Sequence, residues 1–117
     1  MRVLLATERA DLGEALFTYL SEQEIQVVGV ASALADLGVT VTVTRPHLVL
    51  VDALLLEGDR SAAMDELRSA LGGVPIVLLA GGREEVLPAL VGVAALVSFD
   101  DPPASLLAAL RSVAALR

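Results

Sequence analysis

Apolar positions along this chain alternate between short runs and longer stretches with helical spacing. Short apolar runs of this kind are typical of strands that are buried on both faces. We predict strands at Val3–Ala6, Ile25–Val30, His47–Val51, Ile76–Leu79 and Ala94–Val97. The stretches between them predict amphipathic helices, as in the first, where leucines recur at every fourth position. We predict helices at Glu8–Glu22, Ser61–Leu71, Glu84–Gly92 and Pro102–Leu116.

Residues 33–44 carry two conflicting signals. Leu34, Leu37 and Val41 can share one helical face. Residues 39–43, in contrast, read Val-Thr-Val-Thr-Val, and alternating β-branched side chains favour a strand. The residues themselves therefore leave helix and strand open at 35–44.

Alternation of strands and helices predicts an α/β fold of five βα units. Its expected form is a three-layer sandwich with a five-stranded parallel sheet between helices. The length of 117 residues fits one domain covering residues 1–117. In such sheets, ligands bind outside the carboxyl ends of the strands. We therefore expect functional side chains among the residues that directly follow each strand.

Composition and charge exclude several classes of function. The chain has no cysteine, which removes disulfides, thiolate metal sites and cysteine nucleophiles. The net charge of −7 argues against nucleic-acid binding by this domain. No apolar run has the length of a membrane span or a signal peptide, so we expect no membrane partner. All eight basic residues are arginine, so the chain has no lysine.

A small group of polar and small residues follows the strands. Thr7 and Glu8 follow the first strand, Asp52 the third, Ala80 the fourth and Ser98 the fifth. Asp52 ends a fully apolar run, and burying an unpaired carboxylate there would cost considerable free energy. Asp52 is therefore either a site residue or a carboxylate that loop groups or water satisfy.

The segment 46–52 carries a resemblance to a known family. It reads Pro-His-Leu-Val-Leu-Val-Asp and is similar to the Pro-Asp-Leu-Val-Leu-Leu-Asp of the CheY-like receiver domain of bacterial two-component response regulators. The resemblance covers essentially the whole chain, including the Pro-Ile-Val-Leu-Leu at 75–79. It implies a flavodoxin-like strand order of 2-1-3-4-5, a helix at 35–44, and Asp52 at the phosphoacceptor position.

Three positions depart from the family pattern. Thr7 stands where a receiver has one of two adjacent acidic metal ligands, which leaves Glu8 as the other. Ala80 replaces the hydroxyl residue that binds the phosphoryl group, and Ser98 replaces the lysine that pairs with it. The aromatic switch position corresponds to Ala95 or Leu96. The resemblance is thus to a degenerate receiver, or pseudo-receiver.

These departures shape the functional expectation. We expect a cytoplasmic, non-enzymatic signalling domain with little or no phosphorylation-driven switching. Glu8 and Asp52 are the candidate ligands of a weak or vestigial Mg²⁺ site, and no other cofactor is expected. The alternatives are a working receiver that uses Asp52 and Mg²⁺, and a small flavodoxin-like ligand-binding domain at the same edge. Whether Asp52 is phosphorylated in vivo, and whether a transcription-regulating output domain follows Arg117, are left open.

The last third of the chain suggests an interaction surface. Between Val86 and Arg117 the only charged residues are Asp100, Asp101, Arg111 and Arg117. Weakly charged helical surfaces often mark contact sites. The face formed by the predicted helix at 84–92, the fifth strand and the last helix is therefore the candidate surface for a homodimer or a partner protein. A histidine kinase is a further partner that the resemblance implies, whereas an alanine-rich face without any partner is the alternative.

Overall fold

The computed structural model describes residues 1–56, 58–81 and 93–115 as a parallel sheet flanked by helices. The strands are β1 (Arg2–Ala6), β2 (Gln26–Ala31), β3 (Leu48–Asp52), β4 (Ile76–Ala80) and β5 (Ala95–Ser98). The α-helices are α1 (Ala10–Glu22), α2 (Leu34–Thr44), α3 (Arg60–Leu71) and α4 (Pro103–Ala115), and a 3₁₀ turn spans Ala53–Leu55. The strand order is β2-β1-β3-β4-β5, and every neighbouring pair is parallel. The predicted α/β fold and strand order are confirmed. The helix predicted at 84–92 lies outside the described residues.

The sheet separates two apolar cores, as the two-sided burial of its strands requires. All five residues of β3 and all five of β4 are buried. Because side chains alternate across a strand, Leu4 and Val49 face the core beneath α2 and α3. Leu5 and Leu50 face the core beneath α1 and α4.

Helix α2 settles the ambiguity at residues 33–44 in favour of helix. Leu37 is fully buried between the sheet and α3, which a helical period allows. The hydroxyls of Thr40, Thr42 and Thr44 donate to the carbonyl oxygens four residues earlier. Tertiary packing therefore outweighs the local preference for strand.

Three predicted helix starts need correction. Helix α3 begins at Arg60 rather than Ser61, directly after the capping residue Asp59. Helix α1 begins at Ala10 rather than Glu8, because Arg9 has extended backbone angles (φ −85°, ψ 105°). Helix α4 begins at Pro103 rather than Pro102. The carboxylate of Asp101 accepts a hydrogen bond from the backbone N–H of Ser98 at 3.0 Å, so Asp101 closes the turn after β5.

The connection from β3 to β4 brings two strand ends to the same edge. Asp59 caps the N-terminus of helix α3, and its carboxylate accepts from the backbone N–H of Ala62 at 3.2 Å. The helix ends at Leu71 and is followed by Gly72, which adopts φ +58°, a left-handed conformation that favours glycine. The chain then returns parallel to β3, with Asp52 in register with Leu79. None of the described helices is long and apolar enough to span a membrane.

Candidate functional site

Asp52 is the acidic residue at the centre of the sheet's carboxyl edge. It is the last residue of β3 and only 3% exposed. Its Oδ1 accepts a hydrogen bond from the backbone N–H of Leu54 at 3.0 Å and thereby caps the 3₁₀ turn that follows the strand. The position of Asp52 is thus set by β3 and by the turn after it.

Three further hydrogen bonds to this carboxylate come from the segment after β1. The Thr7 hydroxyl donates to Oδ2 at 2.8 Å. The Arg9 guanidinium donates from Nε to Oδ2 at 2.9 Å and from Nη2 to Oδ1 at 3.1 Å. Each carboxylate oxygen of Asp52 therefore accepts two hydrogen bonds. A two-pronged arginine–carboxylate pair is among the stronger hydrogen-bonded contacts in proteins.

Arg9 is held in place by its neighbours as well as by Asp52. Its backbone N–H donates to the Thr7 hydroxyl oxygen at 3.1 Å, which fixes the extended turn before α1. Its Cζ lies 4.8 Å from the ring centroid of Phe99, the residue after β5. This distance is within the range of a cation–π contact. The guanidinium thus bridges the ends of β1, β3 and β5.

The ion pair changes the acidity of Asp52. Burial raises the pKa of Asp52, and it is the largest single influence. The hydrogen bond from Arg9, the backbone N–H of Leu54 and the hydroxyl of Thr7 act in the opposite direction, and together they outweigh it. The net pKa of Asp52 is lowered, so the side chain is an ionised carboxylate at neutral pH.

The remaining predicted site residues do not join this group. Glu8 is exposed, and no hydrogen bond between described residues links it to Asp52. The side chain of Ala80 is buried in the core beneath α2 and α3. The Ser98 hydroxyl accepts from the backbone N–H of Asp100 at 3.1 Å and lies 3.5 Å from the carbonyl oxygen of Gly81. Of the predicted residues, the structure thus brings only Thr7 and Asp52 together.

Comparison with known proteins places this arrangement in a known fold. No family model matches the chain, and no curated protein sequence matches it. Solved structures do. The BeF3-activated N-terminal receiver domain of RstA from Klebsiella pneumoniae has a TM-score of 0.81 and 26% identity, over 97% of this chain and 98% of that one. This chain has the receiver-domain fold.

Other solved structures with the receiver fold are similar over nearly the full chain. A two-component response regulator of the LuxR family from an Aurantimonas species has a TM-score of 0.85 at 21% identity, covering 99% of this chain and 86% of that one. RcsB from Salmonella enterica, bound to promoter rprA in the presence of BeF3⁻, has a TM-score of 0.80 at 19% identity, covering 97% and 98%. At these identities the likeness concerns the fold, so the site must be judged from its own residues.

Arg9 and Phe99 are the site residues that sequence reasoning missed. The signal for Arg9 was available, because a buried carboxylate needs a positive partner and the chain has no lysine. Arg9 follows β1 by three residues, which places it at the carboxyl edge of the sheet. Nothing in the sequence marks Phe99 as a partner of Arg9, because their contact depends on how two loops approach each other.

A divalent metal ion does not fit this arrangement of the receiver fold. Both oxygens of Asp52 already accept hydrogen bonds from the protein. Two of these four hydrogen bonds come from the cationic side chain of Arg9. Across residues 1–56, 58–81 and 93–115, no three His, Asp or Glu side chains converge to form a metal cluster. The weak metal site at Glu8 and Asp52 therefore stays a prediction, and it requires Arg9 to leave the carboxylate.

Helix α4, part of the predicted interaction surface, presents small residues to solvent. Its large apolar side chains Leu106, Leu110 and Val113 are buried against the sheet. The exposed positions are Pro103, Ala104, Ser105, Ala108, Arg111, Ser112 and Ala115. The outer face of α4 thus carries mainly small residues and a single charged residue, Arg111.

Proposed function

We propose that this domain is a non-enzymatic signalling module with the receiver fold that binds protein partners and has little or no phosphorylation-driven switching. The observation that supports this is the state of Asp52. Its carboxylate accepts four hydrogen bonds within the chain, and two come from Arg9. The residue at the phosphoacceptor position is thus engaged in a structural ion pair.

The chemistry of phosphoryl transfer explains why this engagement matters. A carboxylate attacks phosphorus through one oxygen, and cationic groups must offset the charge that the transferred group carries. Here each oxygen of Asp52 is bonded to two donors, and the nearby cation is already paired with it. The carboxylate of Asp52 therefore has no oxygen free of hydrogen bonds, and the guanidinium of Arg9 is not free to offset charge on a transferred phosphoryl group.

The groups that would read out a phosphoryl group are also absent. Ala80 has no hydroxyl, and Ser98 has no positive charge. The chain has no lysine to replace that charge. Even a slow phosphorylation of Asp52 would therefore lack the contacts that transmit it to β5 and α4.

Beryllium fluoride with Mg²⁺, monitored by amide NMR, tests this proposal directly. We expect no shifts, or shifts confined to the turn after Asp52, in the wild type. The matched control is Asp52→Asn, which removes the acceptor charge and retains the side-chain shape. Large shifts that spread from Asp52 through β4 to β5 in the wild type, and vanish in Asp52→Asn, would show a working receiver instead.

We further propose that the partner surface comprises the segment 84–92, β5 and α4, and that it supports a homodimer or a partner protein. The support is the low charge between Val86 and Arg117, where the exposed face of α4 carries mainly small residues and a single arginine. Sedimentation over a concentration series measures assembly. Ala108→Glu on α4 should weaken it, whereas Ala62→Glu on the opposite side of the sheet should not. Two results together would contradict this surface. The wild type would stay monomeric at every concentration, and Ala108→Glu would leave the binding of a partner protein unchanged.

The wider setting of the proposal is two-component signalling, with a histidine kinase as a partner and a transcriptional output. Its support is the nature of the similar structures, which include response regulators and the promoter-bound RcsB. A pull-down with the cognate kinase, compared between the wild type and Ala108→Glu, tests whether this domain contacts such a partner.

A further inference from the structure

We propose that Arg9 is the resident cation of this site and that it excludes divalent metal ions from Asp52. This inference rests on the proposed function and deepens it, because it names the residue that keeps the site inactive. A tethered guanidinium here balances the charge that a bound metal ion would otherwise balance. The site is then independent of metal concentration.

The contact geometry supports a strong competitor for metal ions. The Nε and Nη2 atoms of Arg9 reach the two different oxygens of Asp52, at 2.9 and 3.1 Å. Arginine presents these donors in a planar fork that matches a carboxylate. A metal ion that approaches Asp52 must therefore displace two charge-assisted hydrogen bonds together.

Arg9 is also held independently of Asp52. Its backbone N–H is bonded to the hydroxyl of Thr7, and its guanidinium lies against the ring of Phe99. Both contacts limit the positions that the side chain can take after the ion pair breaks. Because the competitor is part of the same chain, its effective concentration near Asp52 stays high at any Mg²⁺ concentration.

Two other arginines next to the central strands lie away from Asp52. Arg2 begins β1 and Arg45 precedes β3, so both lie at the opposite edge of the sheet. Within the part of the chain that the structure describes, the ion pair made by Asp52 is with Arg9. The positive charge that the resemblance places after β5 is thus supplied after β1.

Mn²⁺ titration followed by paramagnetic broadening of amide NMR signals tests the inference. Three proteins are compared: the wild type, Arg9→Gln, and Arg9→Gln combined with Asp52→Asn. Glutamine retains a hydrogen-bond donor and removes the charge. We expect Arg9→Gln to bind Mn²⁺ roughly tenfold or more tightly than the wild type, since charged hydrogen bonds of this strength must otherwise be broken. Broadening should centre on Thr7 and Asp52 and should disappear in the double variant.

Equal Mn²⁺ affinity of the wild type and Arg9→Gln would overturn the inference, whether both bind the ion or neither does. In either case the proposed function would stand if beryllium fluoride still failed to produce shifts at β5. Conversely, switching in the wild type would overturn the proposed function irrespective of the metal titration. The two failures are therefore distinguishable.

A measurement on the wild type removes dependence on the folding of Arg9→Gln. The Nε–H signal of Arg9 should be observable and protected from exchange because it is bonded to Asp52. We expect it to remain unshifted in millimolar Mg²⁺. Loss of this signal on addition of Mg²⁺ would show that the metal displaces Arg9 and would overturn the inference.

Discussion

The two halves of the sheet's carboxyl edge differ sharply in how their polar groups are used. At the ends of β1 and β3, Thr7, Arg9 and Asp52 form one network with distances of 2.8–3.1 Å. At the ends of β4 and β5, Ala80 contributes a buried methyl group, and the Ser98 hydroxyl bonds to backbone groups of the segments that follow these two strands. The cation–π contact between Arg9 and Phe99 joins the two halves.

This difference shows what a buried carboxylate requires and what it does not. Asp52 needs donors and a positive charge, because an ionised group in a dry environment is otherwise too costly. It does not need them from a particular strand. Here the half around β1 supplies all of its side-chain partners among the described residues, and the half around β4 and β5 supplies none.

Removal of Arg9, the main partner of Asp52 in the β1 half, should have the largest effect on the free energy of unfolding. Arg9→Ala leaves Asp52 buried with two of its four hydrogen bonds lost. We expect the free energy of unfolding to fall by about 2 kcal/mol, less than the roughly 3–5 kcal/mol of a fully buried ion pair, because the Arg9 side chain is 38% exposed. Urea denaturation measures this change. Arg111→Ala, at an exposed position of α4, is the control and should cost less than about 0.5 kcal/mol.

Replacement of Thr7 should have the next largest effect. Thr7→Val retains the shape of the side chain and removes a hydroxyl that both donates to Asp52 and accepts from the backbone of Arg9. We expect a loss of about 1 kcal/mol in unfolding free energy. Thr42→Val is the matched control, because its hydroxyl is exposed on α2. Equal losses for the two variants would mean that the network around Asp52 contributes no special stability.

The contact between Arg9 and Phe99, which links the two halves of the edge, should contribute less to the free energy of unfolding. Phe99→Leu retains apolar contact and removes the ring beneath Arg9. We expect a loss of about 0.5 kcal/mol, the usual size of a cation–π contact at a partly exposed site. Thermal unfolding compares it with Phe17→Leu, which changes a half-exposed aromatic residue on α1. A Phe99→Leu variant no less stable than Phe17→Leu would show that the ring does not support Arg9.

Acid unfolding should show the smallest effect, because burial and hydrogen bonding act on the pKa of Asp52 in opposite directions. Since the net pKa is lowered in the folded protein, the unfolded chain takes up this proton at a higher pH. The stability that the ionised group contributes is therefore complete above the ordinary aspartate pKa of about 3.9 and is lost as the pH falls through the lower folded-state value.

Urea denaturation of the wild type and Asp52→Asn at a series of pH values measures this effect. The difference between the two proteins should be constant near neutral pH and should shrink below about pH 4. A difference that does not change with pH would contradict a lowered pKa of Asp52.

Strand positions and the core were predictable from the sequence, because apolar runs and their spacing report burial directly. Leu48 to Val51 is apolar without interruption and is buried on both faces of the sheet. Residues 39–43 show where this reasoning ends. Their alternation favours a strand, yet the packing of Leu37 beneath α3 makes them part of a helix.

The sequence by itself determined the fold class, the burial of Asp52 at a strand end, and the identities of Ala80 and Ser98 at the ends of β4 and β5. These follow from local pattern and residue identity. Only the tertiary structure decided which group neutralises Asp52. Thr7, Arg9 and Phe99 lie far from Asp52 in the chain, and the meeting of their side chains depends on the register of β1, β3 and β5 and on the turn before α1. The identity of Asp52 in an apolar strand indicates that it needs a positively charged partner. The three-dimensional arrangement determines that this partner is Arg9.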